Sequence, residues 1–304
     1  LVGKKNIDKS GGTLSIFEKE EIIPLETDVF RLIRDFIRDF CGIFFDDDSR
    51  YLLEKRLSRR VRTLHFNTFR EYYRYLLYHR NRDEELASII DILTVNETYF
   101  FREQNQLKTF SEEILPELKL TNRDTRRLRI WSAGCSTGEE PYTIAMLVLE
   151  KGYFYGWNIE IFGSDINQRV LQTARSGLYR KNSFRTTEPY YLKKYFREEN
   201  SSSRIADSVK QHVNFSHLNL LDPFKVKLVG SMDVIFCRNV MIYFDQPSRK
   251  KVIGMFYERL VEGGYLLLGH AESLINISTA FTLRHFKYDM VYQKPSKKGA
   301  GTDV

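Results

Sequence analysis

The sequence predicts an α/β protein with a mainly parallel sheet, preceded by a small all-α domain. Three observations predict it. From about Pro24 to Leu93 apolar residues recur at helical spacing with no strand signal between them. From Leu128 onward strand and helix signals alternate, the pattern of a sheet wound with helices. At the head of that second region Arg129 to Leu149, RIWSAGCSTGEEPYTIAMLVL, reads as strand, small-residue loop and helix.

A chain of 304 residues is long enough for two domains. With 42% hydrophobic residues and no apolar run of bilayer length, a soluble globule is expected. The polar opening, with Gly11 and Gly12, reads as a flexible leader over residues 1–23 rather than a signal peptide, and 294–304 as a disordered tail. Cys41, Cys135 and Cys237 are odd in number and widely spaced, with neither metal-ligand spacing nor a disulfide framework, which fits a reducing cytoplasm. A net charge of +7 from 47 basic and 40 acidic residues makes a mixed surface, so only local clustering is informative.

In the helical region Val29, Leu32, Ile33, Phe36, Ile37 and Phe40 mark a first helix, which Gly42 ends. Leu53, Leu57, Val61 and Leu64 mark a second. Thr68 with Glu71 forms a capping-box start for a third, carrying Phe69, Tyr72, Leu76 and Leu77. Leu86, Ile89, Ile90 and Leu93 mark a fourth, and a boundary is expected near Thr94. On the second helix Arg56, Arg59 and Arg60 fall at i, i+3 and i+4, with Arg62 close by. Like charges so placed repel by a few tenths of a kcal/mol per pair, so an acidic partner would relieve them. A solvated face paired with local acids is the other reading.

Asn105 to Leu120 is an amphipathic helix. In the strand–loop–helix unit that follows, Gly134, Ser136 and Gly138 let the backbone turn sharply and approach a ligand. Glu139 and Glu140 occupy the first helical turn, where two carboxylates would meet the phosphates of any dinucleotide or triphosphate. S-adenosylmethionine, with adenosine, a sulfonium and an ammonium but no phosphate, suits such a loop. An ordinary βα turn is the alternative. Ile159 to Phe162 form a second strand ending at Asp165, where nucleotide-binding folds grip ribose hydroxyls; a helix N-cap is the competing role. Val170 to Arg175 starts the next helix.

Residues 177–212 break the alternation: YYLKKYF and SSSRIADSVKQHV read as small strands around a serine turn, an insertion without a cofactor role. Val213 to Leu221 and Met232 to Asn239 resume buried strands. Pro247 to Leu260 is a helix closed by Gly263 and Gly264, Tyr265 to Gly269 a strand, and Phe281 to Gln293 a hairpin-like pair.

Taken together, TVNETYFFRE (Thr94 to Glu103), WSAGCSTGEEPYTIA, GSDIN, LNLLDPF, IFCRNVMIYFD and GGYLLLGHAES resemble the chemotaxis receptor methyltransferases, the CheR family, in family order from Val29 to Tyr292. The resemblance implies a helical receptor-docking domain at 24–93, a linker at 94–104, and a Rossmann-like S-adenosylmethionine domain at 105–293 with a small antiparallel β-subdomain inserted in it. It implies methyl transfer to glutamate carboxylates on the cytoplasmic helical bundle of chemoreceptors by a cytoplasmic monomer, leaving S-adenosyl-L-homocysteine, with no metal, nucleic acid or membrane insertion. Cofactor contacts carry over to Asn96, Thr98, Arg102, Gly134, Glu140, Asp165, Asn219, Leu220, Cys237 and Arg238. Arg102 and Tyr243 come beside the methyl group, and Arg56, Arg59, Arg60 and Arg62 dock the substrate. Two departures stand out: Ser136 holds the place of the central glycine in the GxGxG loops of other S-adenosylmethionine enzymes, and the insertion's short turn lacks the Gly-x-Gly of members that bind a receptor's C-terminal tether.

A glutamate nucleophile is already ionised at neutral pH, with an ordinary pKa of about 4.3, so orientation replaces a general base. His270 in GHAES then has a strand end to hold rather than a proton to move. Two rivals are a nucleic-acid methyltransferase, although Arg238 to Phe244 stands where an Asn-Pro-Pro-aromatic motif would fall, and a sensor that keeps the cofactor pocket without turnover.

Overall fold

The computed structural model describes residues 22–296, so most of the expected leader and tail lies outside the described residues. The helical domain consists of α1 (Thr27–Cys41), α2 (Arg50–Thr63), α3 (Phe69–Tyr78) and α4 (Arg82–Leu93). The capping box on α3 is present, Thr68 and Glu71 each bonding the other's backbone N–H, and α1 stops at Gly42. Its buried face differs from the expected one. Val29, Phe30, Ile33, Ile37 and Cys41 are inside, while Leu32 and Phe40 are exposed, because the i+4 row starting at 29 rather than the row starting at 32 meets the other helices.

The linker leads into α5 (Gln104–Thr109), a wider π turn (Phe110–Ile114) and α6 (Leu115–Thr121), where one helix was expected. The wide turn falls just ahead of Pro116, which has no amide to donate and crowds the carbonyl one turn back. The chain continues through β1 (Arg127–Ala133), α7 (Glu139–Lys151), β2 (Asn158–Asp165) and α8 (Gln168–Ser176). The insertion holds β3 (Leu178–Arg180), α9 (Pro189–Tyr195), β4 (Phe196–Glu199), β5 (Ser202–Ile205) and α10 (Asp207–Lys210). Then come β6 (Val213–His217), α11 (Pro223–Lys227), β7 (Met232–Cys237), α12 (Gln246–Arg259), β8 (Leu260–Leu268), β9 (Thr282–His285) and β10 (Met290–Gln293).

The main sheet runs β6-β2-β1-β7-β8-β10-β9, parallel from β6 to β8, with the β9–β10 hairpin added antiparallel at the edge. The order reverses beside β1, which opens a crevice at the C-terminal ends of β1, β2 and β7. A separate antiparallel sheet, β3-β5-β4, forms the insertion. Three local expectations are corrected. YYLKKYF is mostly α9: Pro189 fixes the first turn, Tyr191 packs on Phe101 and Tyr195 bonds Glu150, an i+4 pair facing one way. The sixth strand ends at His217, because Leu218 to Leu221 turn on the Asn219 side chain. Gly263 and Gly264 lie inside β8 at a register shift rather than closing a helix.

Alternate strand residues feed two cores. Ile130, Val234, Phe236 and Leu267 pack with α5 to α7, while Trp131, Ala133, Ile235, Leu266 and Leu268 join one continuous cluster with α12 and the helical domain. The helical domain is thus anchored on the sheet by apolar burial. An isolated bridge, Ile43 with Phe244, and the bond from Phe44 N–H to the Tyr243 carbonyl (2.9 Å) tie it to the loop after β7.

Candidate active site

A cavity of ≈ 310 Å³ lies between the two domains over the strand ends, within the range of small-molecule sites. Its inner wall comes from the loop after β1. Gly134 holds φ 82°, and a Cβ there would stand 2.3 Å from Val240 Cγ2, so only glycine lets this loop pass the loop after β7. Ser136 also takes a left-handed turn (φ 49°). Its N–H donates to Asp165 (2.8 Å) and its hydroxyl to the Asn96 carbonyl (3.2 Å), which is what a serine gains where a glycine would turn more easily.

Asp165 closes β2 at the cavity wall. Each of its oxygens accepts one backbone N–H, from Ser136 and from Asn167 (2.9 Å), leaving lone pairs to face a ligand. The N-cap of α8 is Asn167, not Asp165. Glu140 accepts from Ser132 (2.7 Å) and from Arg238 (3.2 Å). Burial pushes both carboxyls above their ordinary values; backbone bonds partly offset this at Asp165, as the Arg238 charge does at Glu140. Arg238 is itself buried, and also bonds Glu103 (3.0 Å) and the Arg102 carbonyl. Burial raises the Glu103 carboxyl, but Arg238 and Asn239 outweigh it and hold the group low. Arg238 thus stands between two acids, Glu103 and Glu140.

The mouth is made of separate pieces. The linker crosses it with Val95, Asn96, Glu97, Thr98, Tyr99 and Arg102 in the wall. Arg102 donates to the Glu97 carbonyl (2.8 Å), and Arg185 from the insertion pairs with the Glu97 carboxylate (2.7 Å) and lies over the Tyr99 ring at 3.7 Å. Phe100 N–H donates to the Ser183 carbonyl (2.9 Å) and Thr186 to the Phe100 carbonyl (2.8 Å), so the insertion, expected to have no cofactor role, braces the linker. Tyr243 faces the cavity from the turn after β7. Burial raises its phenol above the ordinary value, against the pull of nearby Arg102.

Of the expected cofactor residues, Asn96, Thr98, Arg102, Gly134, Glu140, Asp165, Asn219, Leu220 and Arg238 line this one cavity, together with Tyr243. Cys237 does not. Its side chain is wholly buried in the core at the end of β7, and burial pushes its thiol well up. The Asn219 amide is engaged by the Phe40 carbonyl (2.6 Å) and by Leu221 N–H (2.9 Å), joining α1 to the wall. The arginines of α2 do not form one patch. Arg56 lines the cavity mouth and donates to the Leu93 carbonyl (2.8 Å), Arg59 is exposed and Arg62 half-buried. Arg60 is spent on buried Glu85 (2.9 Å), which Tyr72 also bonds. Glu103 and Glu272 have no role that the sequence motifs imply. A buried arginine at 238 calls for such a carboxylate, and that was the available signal for Glu103.

A parallel sheet with this strand order, a small-residue loop after β1 and an acid closing β2 define a nucleotide-binding α/β fold, and the donor set narrows the ligand. The Glu140 carboxylate, the Asp165 lone pairs and the apolar Ile166, Leu218 and Leu220 suit a positive end, a diol and a ring. The class is therefore that of S-adenosylmethionine-dependent methyltransferases. The family model "CheR methyltransferase, SAM binding domain" matches residues 96–289, and "CheR methyltransferase, all-alpha domain" matches 28–94. The chain is 41% identical to chemotaxis protein methyltransferase 2 of Vibrio cholerae over 91% of its own length and 96% of that protein's. It is 37% identical to the chemotaxis protein methyltransferase of Borreliella burgdorferi (80% and 87%) and 34% to that of Salmonella typhimurium (90% and 94%). The chain belongs to the CheR methyltransferase family.

Proposed function

We propose that this protein methylates glutamate side chains on the cytoplasmic helical bundle of chemoreceptors. The observation that carries the reading is the composition of the cavity: Arg56, Arg102 and Tyr243 stand in its wall, among the described residues no histidine lines it, and its buried carboxylates Glu140 and Asp165 are already held by donors of the protein. A carboxylate needs no base, whereas a base amine or a hydroxyl would. When bound, S-adenosylmethionine supplies an electrophilic methyl group. Asp165 would hold the ribose hydroxyls and Glu140 the cationic end. Arg102 presents a fork of donors that can aim one carboxylate oxygen, held loosely enough that the ground state is not favoured over the transition state. Tyr243 keeps its proton and can donate a hydrogen bond, and the linker excludes water.

The same reading makes substrate capture independent of a C-terminal tether. The β4–β5 turn carries Glu199, Asn200, Ser201 and Ser202, with Arg204 paired across it to Glu199 (2.8 Å), in place of a Gly-x-Gly turn. Strand addition at that edge is thereby disfavoured. Arg59 and Arg56 then meet the acidic face of the bundle, a weak and salt-sensitive contact. Arg59→Glu tests docking; Arg60 does not, because reversing it would set a second carboxylate against Glu85.

Labelled cofactor offered with receptor fragments and with nucleic acid separates the readings. Expected is label on receptor glutamates as base-labile ester, lost in Arg59→Glu while cofactor binding stays. Label on nucleic acid, or binding without turnover, contradicts the reading, and tight binding of a receptor C-terminal peptide contradicts its tether-independent part.

A further inference from the structure

Two loops meet beyond the ends of β7 and β8, and one side chain joins them. Glu272 returns over a tight turn, its N–H donating to the Gly269 carbonyl (2.8 Å), and sets its carboxylate among five backbone N–H groups. Oε2 accepts from Gly269 (2.7 Å) and Asn239 (2.8 Å). Oε1 accepts from Val240 (3.0 Å), Met241 (2.7 Å) and Ile242 (3.3 Å). Backbone N–H groups converging in this way form an anion-binding nest, and bonds to an ionic acceptor are the strong ones. The nest is closed by the protein itself: a Cβ on Gly269 would lie 2.8 Å from both Asn239 N and Glu272 Oε2.

The segment so held is the one that builds the cavity. Asn239 is left-handed (φ 59°), a conformation asparagine tolerates better than other side chains, and its N–H is turned onto Glu272 (2.8 Å). Val240 packs against Gly134, and the turn Met241–Tyr243 follows at once. Arg249 holds the carbonyls of this segment, at Met241 (2.8 Å) and Phe244 (2.9 Å), while Glu272 holds its amides.

We propose that Glu272 is a positioning residue for methyl transfer, acting by fixing the 239–242 backbone that sets Tyr243 at the cavity mouth. The proposal rests on the role given to Tyr243 above. Glu272→Gln keeps the size but removes the charge and points an NH2 at donors.

The variant is expected to lower the single-turnover rate at saturating cofactor by about tenfold. Cofactor affinity should move by less than about threefold. In cofactor-free protein the amides of Val240 to Ile242 should exchange faster. Adding Glu272→Gln to Tyr243→Phe should cost little beyond Tyr243→Phe alone, and Glu272→Asp, charged on a shorter arm, should recover part of the rate. A wild-type rate in Glu272→Gln beside a slow Tyr243→Phe overturns the proposal, as do fully additive losses or unchanged amide exchange. A wild-type rate in Tyr243→Phe overturns the catalytic reading instead, and the exchange measurement still decides whether Glu272 fixes the segment.

Discussion

At the inner wall of the cavity every charge is met by another buried group, Arg238 by Glu103 and Glu140, Asp165 by two backbone amides, whereas at the mouth Arg102, Glu97 and Arg185 sit half in water. The wall is built from buried groups bonded to one another; the mouth is assembled from the linker, the insertion and α2 through exposed contacts. The contrast teaches that two parts of one cavity are built by different physics, desolvated charge in the wall and exposed contacts at the mouth, and the proposed function assigns the cofactor to the first and the substrate to the second.

The sharpest way to break that contrast is to remove its buried cation. Arg238→Ala leaves Glu140 and Glu103 without their partner and should cost about 3–5 kcal/mol of stability in urea unfolding. Arg102→Ala, at the mouth, should cost about 1 kcal/mol or less. Equal losses would mean that wall and mouth are not distinct.

Next in size, Asp165→Ala should weaken both S-adenosylmethionine and its demethylated product by about 3 kcal/mol, roughly a hundredfold by calorimetry. Arg102→Ala and Tyr243→Phe should do the reverse, lowering the single-turnover rate more than the affinity. Unchanged affinity in a folded Asp165→Ala would remove the ribose from β2, and unchanged rates would remove the other two from the mechanism.

Smaller still is a pH effect confined to the wall. Glu140 and Asp165 have carboxyls raised by burial, and a cationic ligand favours their ionised forms. Affinity should therefore fall as pH falls through those raised values, beginning above the ordinary carboxylate range of about 4. Titration calorimetry at several pH values reads it directly, and affinity constant down to about pH 4 would mean that the wall carries no such charge.

The fold was legible in the sequence where periodicity was unmixed, with helical spacing before Thr94 and alternation after Leu128 on either side of the 177–212 insertion. The inner wall was legible for the same local reason, since the residues from Gly134 to Glu140 are contiguous and Asp165 closes the next strand. The mouth was not. Arg185 and Glu97 are 88 residues apart, and nothing in either stretch announces the other. Arg60 looked like surface charge because Glu85, which consumes it, lies on another helix. YYLKKYF looked like strand because aromatic side chains favour strands, and only the packing of Tyr191 and Tyr195 made it a helix. Glu272 was overlooked beside His270, since a carboxylate that bonds only backbone amides leaves no partner side chain to find in a sequence.

In the proposed reaction the nucleophile arrives ionised and the site orients it without a base. The single-turnover rate of methyl transfer to receptor, at saturating cofactor, tests this most directly as a function of pH. The profile should be flat from about pH 6 to 9, above the ordinary glutamate pKa and below the ordinary tyrosine value, which burial raises further at Tyr243. A rate that climbs through a titration inside that window would show a base at work, and would contradict it.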